Sequence, residues 1–359
     1  MKDVALQYDY HKHYKLVSPK SNYLKKGLSG LYNLGNKCYM SSILQCLSHT
    51  LQLTDYFLSC QYKNDDPEYL NKRKPEHILL TSFIQVLIKL WDKNQIVKPR
   101  SFITQLSSHY EKFGSNEQQD SHEFLVQFMS LLHKALSYEI QVEIKGQVKN
   151  QSDALMKTSH EQWKRFYEKN YSVVIDMFHG LTLSQVECNE CKHSDNVFDA
   201  YNMLELNITP DSTALEQCLD VYFNDNETIH NWKCDKCRGT TCNKSTSAWT
   251  LPNHLIVHLK RFQNNGDKVS TAVDFPIEDL NLTKYMSNDK KDPNNYIYTL
   301  YAINYHMGSA NSGHYWSVCK NIDDNWYLFN DGHVSQQKVT EIQKKDAYIL
   351  FYYRKMISP

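Results

Sequence analysis

The stretch GLSGLYNLGNKCYMSSILQCL, residues 27–47, changes character half-way. Its first part is a Gly/Asn-rich turn. From Cys38 onward Met40, Ile43, Leu44 and Leu47 recur at helical spacing, which predicts a helix with one apolar face. Cys38 then sits at the helix start, where unpaired N–H groups and the positive end of the helix dipole favour thiolate over thiol. Lys37 adds a positive charge beside it. A cysteine next to an apolar face is ordinarily core, and Cys46, Cys60, Cys218 and Cys319 are read that way. Cys38 escapes that reading only if the chain supplies a base.

The segment NYHMGSANSGHYWSVCKN, residues 304–321, supplies one. His314 opens a strand after a Gly/Ser/Asn loop, and a following hairpin strand, Trp326 to Phe329, leads into Asn330-Asp331. A turn centred near Ile322 would set Asn330 opposite His314, whereas one centred between Asp323 and Asp324 would miss by three residues. A thiolate, an imidazole base and an amide that orients it make up a Cys–His–Asn nucleophilic arrangement.

Around these segments the first 140 residues read as mostly helical. Ile78 to Trp91 forms an amphipathic helix too short and too polar to span a membrane. A further helix runs from Glu117 to Leu136, with Ser115 or Asn116 as N-cap and Phe124, Phe128, Leu131, Leu132 and Ala135 in register. After about Tyr171 the pattern turns to strands, among them NHLIVHLKRF, YIYTLYAINYH and NWYLFND. Lys63–Glu76, which carries the basic run at 72–74, and Ser287–Asn295 read as solvated loops.

Two Cys-x2-Cys pairs, Cys188/Cys191 and Cys234/Cys237, are separated by 42 residues. Together they offer four thiolates, the donor set of a tetrahedral structural Zn2+ with no position left for water. The long spacer places the two knuckles on different hairpins of one elongated sheet. His193 and Cys242 lie close enough in sequence to serve as substitute ligands.

Composition bounds the function. The 359 residues carry 40 Lys+Arg against 40 Asp+Glu, so no global field draws the chain to nucleic acid or to an anionic membrane. The N-terminus has no apolar core of a signal peptide, and ten cysteines then read as reduced thiols or metal ligands. The expectation is a soluble, intracellular protein of the cytoplasm and/or nucleus, without nucleic-acid or membrane partners.

These motifs, taken together, resemble the ubiquitin-specific proteases. Residues 30–40 resemble that family's Cys box, and 301–308 with 312–315 its His box. GlnGlnAspSerHisGluPhe at 118–124, LeuProAsnHisLeu at 251–255, HisLeuLysArgPhe at 258–262 and AspPhePro at 274–276 match in order. The two Cys pairs match the zinc-bearing fingers. The resemblance implies an α+β, papain-like cysteine protease with a helical thumb (about 27–140), zinc-bearing β fingers (about 171–262) and a β palm (about 263–355), after an N-terminal extension at 1–26. By position it implies Cys38 as nucleophile, His314 as base and acid, Asn330 as its orienter, Asn33 as side-chain donor of the oxyanion hole, and Asp331 as an assistant to that hole or to the substrate tail. Asp120 would pair with an arginine of ubiquitin's tail; Glu117 and Glu123 share its side of the expected helix as an acidic strip, but are read as an ordinary solvated first turn. The implied activity is hydrolysis after the C-terminal glycine of ubiquitin, with ubiquitin and ubiquitinated proteins as partners. Lys37 stands where the family usually has Thr, and Ser41 where it usually has Asn. The run SerSerIleLeuGlnCys at 41–46 is similar to the branch that acts on histones within coactivator complexes. Substrate choice would come from surface loops or from an activating or targeting partner. The alternatives are a protease for another ubiquitin-like modifier and a non-catalytic ubiquitin-binding scaffold.

Overall fold

A computed structural model describes residues 23–65, 74–209, 211–223, 227–263, 266–287, 296–309 and 312–355. The sequence-based extension up to residue 22, positions 72–73 of the basic run and 288–295 of the second loop lie outside the described residues. Tyr23 already packs edge-on against Trp91 and donates to Asp55, so ordered contacts begin before Gly27.

The N-terminal half is built from α1 (Cys38–Ser48), α2 (Leu51–Leu58), a single turn α3 (Tyr62–Asp65), α4 (Pro75–Asp92), α5 (Arg100–His109) and α6 (Ser121–Leu136). Helix α1 is buried along its whole length. Helix α4 begins with proline at its first position, where the missing N–H costs nothing, and buries Leu80, Phe83, Leu87 and Leu90. It thus extends three residues before the expected Ile78. The predicted loop 63–76 is helical at both ends, in α3 and in the first turn of α4.

Helix α6 starts later than the sequence suggests. Asp120, not Ser115 or Asn116, is the N-cap: its carboxylate accepts the His122 N–H at 2.7 Å. Residues 115–117 are bends, with the Ser115 hydroxyl donating to the Lys112 carbonyl at 2.8 Å. Glu117 therefore lies off the helix, Glu123 pairs with Lys112, and Phe124 is buried, so the three acids form no common strip. Two further helices precede the strands, α7 (Gln151–Tyr167) and α8 (Val173–Phe178), and α9 (Leu215–Phe223) lies among them. Helix α7 is largely polar, which is why periodicity did not find it.

The strands are β1 (Gly180–Cys188), β2 (Ser194–Tyr201), β3 (Leu204–Asn207), β4 (Glu227–His230), β5 (Thr241–Thr250), β6 (His254–Lys260), β7 (Leu280–Asn281), β8 (Ile297–Ser309), β9 (Ser312–Lys320), β10 (Trp326–Asn330), β11 (His333–Gln337) and β12 (Ala347–Arg354). A small antiparallel sheet has the order β2-β1-β5-β4, and a large one runs β11-β10-β9-β8-β12-β6-β3 with β7 beside β8. Strands β3 and β6, which fall inside residues 171–262, belong to the large sheet. Strand β6 is covered on both faces. Ile256 joins the core formed with the helices, while Leu255, Val257 and Leu259 join a second core with α9. A third cluster joins Trp163 of α7 to Phe198 and Trp249 of the small sheet.

Just past β6, the fully buried Arg261 donates through Nε to the Ala347 carbonyl (2.6 Å) and through Nη1 to those of Val269 (3.0 Å) and Thr271 (2.8 Å). Arg261→Met keeps the bulk but orphans three carbonyls, and we expect about 3 kcal/mol of lost stability in urea unfolding.

Candidate active site

The turn before α1 is forced by local chemistry. Gly35 (φ +89°) and Asn36 (φ +51°) both take left-handed backbone, and a Cβ on Gly35 would lie 2.8 Å from Asn116 Oδ1. Asn36 Nδ2 donates to the Asn116 carbonyl at 2.8 Å, and the Lys37 N–H donates to Asn33 Oδ1 at 2.9 Å. Lys37 is itself buried, its ammonium held on the Ser115 carbonyl, and burial lowers its pKa. Buried Cys38 follows as the first residue of α1.

His314 reaches this cysteine from β9. Its Nε2 lies 2.7 Å from Asn330 Oδ1, so the other ring nitrogen serves the Cys38 sulfur. The hydrogen bond with Cys38 is the largest influence on the imidazole and raises its pKa to about 9; burial opposes it, while Asn330 and the charges of Cys38 and Asp331 add to it. The β9–β10 hairpin pairs Phe329 with Ser317 and Trp326 with Lys320, which centres it on Asp323. Neither turn considered from sequence is present. Asn330 falls two residues from the position facing His314, and because side chains alternate with period two, both still project from one face as diagonal neighbours.

Two residues that sequence reasoning passed over hold this geometry. Gln118 clamps the backbone of Gly313, accepting its N–H at 2.7 Å and donating to its carbonyl at 2.8 Å. A Cβ on Gly313 would collide with the His306 ring, which leaves glycine as the fit before His314. Asn304 of β8, fully buried, accepts from Ser121 of α6 and donates to Ser42 of α1, each at 2.8 Å. Both lie inside quoted motifs; a polar residue amid an apolar strand was the available signal for Asn304.

Asn33 and Asp331 meet across 298 residues of chain: Asn33 Nδ2 donates to Asp331 Oδ2 at 3.1 Å. Asp331 (φ +51°) also accepts the Leu31 N–H on its carbonyl at 2.8 Å. Asp120 is half-buried, capping α6 with one oxygen and accepting the Tyr348 hydroxyl at 2.8 Å with the other. Burial raises its pKa against the pull of both hydrogen bonds. Cys60 departs from its core reading: it is exposed, in a left-handed conformation (φ +61°) just after α2.

The four knuckle cysteines come together. Cys188 and Cys191 lie at the β1–β2 turn, Cys234 and Cys237 in the β4–β5 connection, on two hairpins of the small sheet. Sulfur atoms of Cys188 and Cys237, and of Cys191 and Cys234, are 3.6 Å apart. A tetrahedron of four sulfurs ~2.3 Å from one ion has edges of ~3.8 Å, so the set fits Zn2+. His193 and Cys242 are outside this cluster, His193 lying 3.4 Å from Asp195.

Residues 29–352 match the family model described as ubiquitin carboxyl-terminal hydrolase. The chain belongs to that family. The human ubiquitin carboxyl-terminal hydrolase 2 is 33% identical over 343 residues, 91% of this chain and 55% of that protein. The human ubiquitin carboxyl-terminal hydrolase 21 is 29% identical over 357 residues, covering 92% of this chain and 62% of its own length. The chain thus spans a little over half the length of these hydrolases. Among solved structures, the SAGA DUB module Ubp8/Sgf11/Sus1/Sgf73 bound to monoubiquitin matches with a TM-score of 0.74 at 27% identity, over 94% of this chain and 71% of that one. The mixed helix-and-sheet architecture with a four-cysteine fingers sheet is this hydrolase fold. No helix among the described residues is long and apolar enough to cross a membrane.

The raised pKa has a sign. Protonated His314 is favoured by the fold, so its stabilising effect is complete below the unfolded value of ~6.5 and fades as pH rises through about 9. NMR titration should place the imidazole near pH 9, and lower in Cys38→Ala, which removes the largest raising influence.

Proposed function

We propose that this chain is a thiol-dependent deubiquitinase that cleaves isopeptide or peptide bonds after the C-terminal glycine of ubiquitin. One observation carries the reading: the Cys38 sulfur, the His314 imidazole and the Asn330 amide form a continuous hydrogen-bonded line at the start of a buried helix. Family membership supports it, as does the ubiquitin bound to the Ubp8 module.

In this mechanism the Cys38 thiolate attacks the carbonyl carbon of ubiquitin's terminal glycine. Negative charge gathers on the carbonyl oxygen, faced by backbone N–H near Cys38 and by Asn33. The Asn33 amide has two hydrogens, and Asp331 takes one, which aims the group. His314 gives its proton to the leaving amine as the thioester forms. It then takes a proton from water, which attacks the thioester and frees Cys38. Asp120, steadied by Tyr348 and His122, presents a carboxylate to a basic group of the ubiquitin tail.

The catalytic domain is assigned to about 27–355, with a helical thumb at about 27–140, the small sheet β2-β1-β5-β4 as fingers, and a palm built on the large sheet, which takes in β3 and β6 as well as the strands after 263. The fingers' four cysteines would hold a structural Zn2+, which supplies no catalytic step but ties two hairpins together where they would grip the globular body of ubiquitin. A targeting partner would direct the enzyme to its ubiquitinated substrates.

Wild-type protein should hydrolyse ubiquitin carrying a fluorogenic C-terminal amide, and Cys38→Ala should abolish turnover. Asn330→Ala should lower kcat by on the order of 10²-fold and move the alkaline limb of the pH profile down from about 9. Turnover only with another ubiquitin-like modifier would transfer the mechanism to that substrate; folded wild type inert toward all of them would overturn it. At the fingers, Cys237→Ser should lose the zinc and raise hydrogen exchange in β4 and β5, while the His314 titration stays in place.

A further inference from the structure

We propose that His122, His258 and Glu205 form a second site for a divalent transition-metal ion, separate from the four cysteines and from the Cys38 line. The three come from different elements. His122 is the second residue of α6, His258 lies in β6, and Glu205 in β3 is the parallel register partner of His258. The two imidazoles are stacked, centroids 3.8 Å apart and 13° between planes. His122 Nε2 lies 3.6 Å from Glu205 Oε1, and the three ligand atoms fall within 4.8 Å of one another. Ligands ~2.0–2.2 Å from one tetrahedral ion stand roughly 3.4 Å apart, and an imidazole binds along its ring plane, so binding turns the two rings out of their stack to converge on the ion.

Unspent hydrogen-bonding capacity is what points to a ligand. His258 is 6% exposed, and neither of its ring nitrogens has a hydrogen-bond partner; His122 Nε2 has none either. Buried polar atoms are almost always paired, and three orphan ring nitrogens in one stacked pair call for an explanation. A metal ion takes the one lone pair of each neutral imidazole, which satisfies His122 Nε2 and one of the two His258 nitrogens. Burial keeps His258 in that neutral form. Two imidazoles and one carboxylate suit Zn2+ and its borderline neighbours rather than Mg2+ or Ca2+. Glu205, half-exposed, gives the ion its entry path and leaves open positions toward water.

Position gives the site a consequence. It bridges the first turn of α6, in the helical half, to two strands of the large sheet. His122 lies two residues from Asp120, and the His258 ring contacts that of Tyr348 at 4.9 Å, whose hydroxyl holds Asp120. An ion here pins α6 to the sheet across the seam between the two halves.

The test is zinc stoichiometry on the full chain at excess free Zn2+, followed by Co2+ titration of the zinc-loaded protein. The inference predicts two equivalents of Zn2+ in wild type, the second without thiolate-to-Co2+ charge transfer when replaced by cobalt. His122→Gln and Glu205→Gln, both at partly exposed positions, should keep the first equivalent and bind the second at least ~10-fold more weakly. A wild-type chain that stops at one equivalent, or a second equivalent bound equally well by both variants, overturns it. Because the readout is metal binding, the result does not depend on the deubiquitinase reading.

Discussion

The molecule depends on one crossing. Residues 30–33 run against the bend that follows β10, and there a Cβ on Gly30 would collide with the Gly332 carbonyl. Only glycine admits this approach, which lets the Leu31 N–H reach the Asp331 carbonyl and the Asn33 amide reach its carboxylate. The partners are some 300 residues apart in the chain. Through this crossing the turn that launches α1 and the hairpin that carries His314 and Asn330 share one frame. Cys38 meets its base because two backbones touch, and the side chains inherit that alignment.

Around the crossing, polar groups in the interior do the positioning that apolar packing cannot. Leu and Phe can slide past one another at small cost, whereas a hydrogen bond loses most of its strength within about an ångström of its optimum. Asn304 joins β8 to α1 and α6, Gln118 grips the backbone beside His314, and Lys37 reaches the Ser115 carbonyl. Each is buried or half-buried, so each would be expensive to leave unpaired, and that expense fixes the distances.

Much of this was legible in the sequence because it was written in local periodicity and short spacings. The helix after Cys38, the strand-rich second half, and the knuckles on separate hairpins of one sheet follow from patterns a few residues long. What escaped was set by tertiary partners. Asp120 rather than Ser115 caps α6 because its carboxylate accepts a backbone N–H that turn geometry alone does not reveal. The hairpin centre at Asp323 depends on the whole β9–β10 ladder, and a turn one residue to either side reads almost as well from sequence. Helix α7 buries Trp163 and Tyr167 in a distant cluster, with Leu155 and Met156 packed against its edge, a stripe broken by Ser159 and set in a largely polar sequence. The stacking of His122 on His258 joins two motifs whose sequences say nothing of each other.

Helix α1 has no face on solvent. The sulfur at its head therefore rides on an element that cannot shift without disturbing the core on every side, and its amides belong to the slowest-opening part of the protein. Compliance has to reside in the pieces that come to it: the bends at 115–117 and the two hairpin strands bearing His314 and Asn330. The nucleophile is the fixed reference, and any adjustment that brings the constellation into or out of alignment is made by its partners.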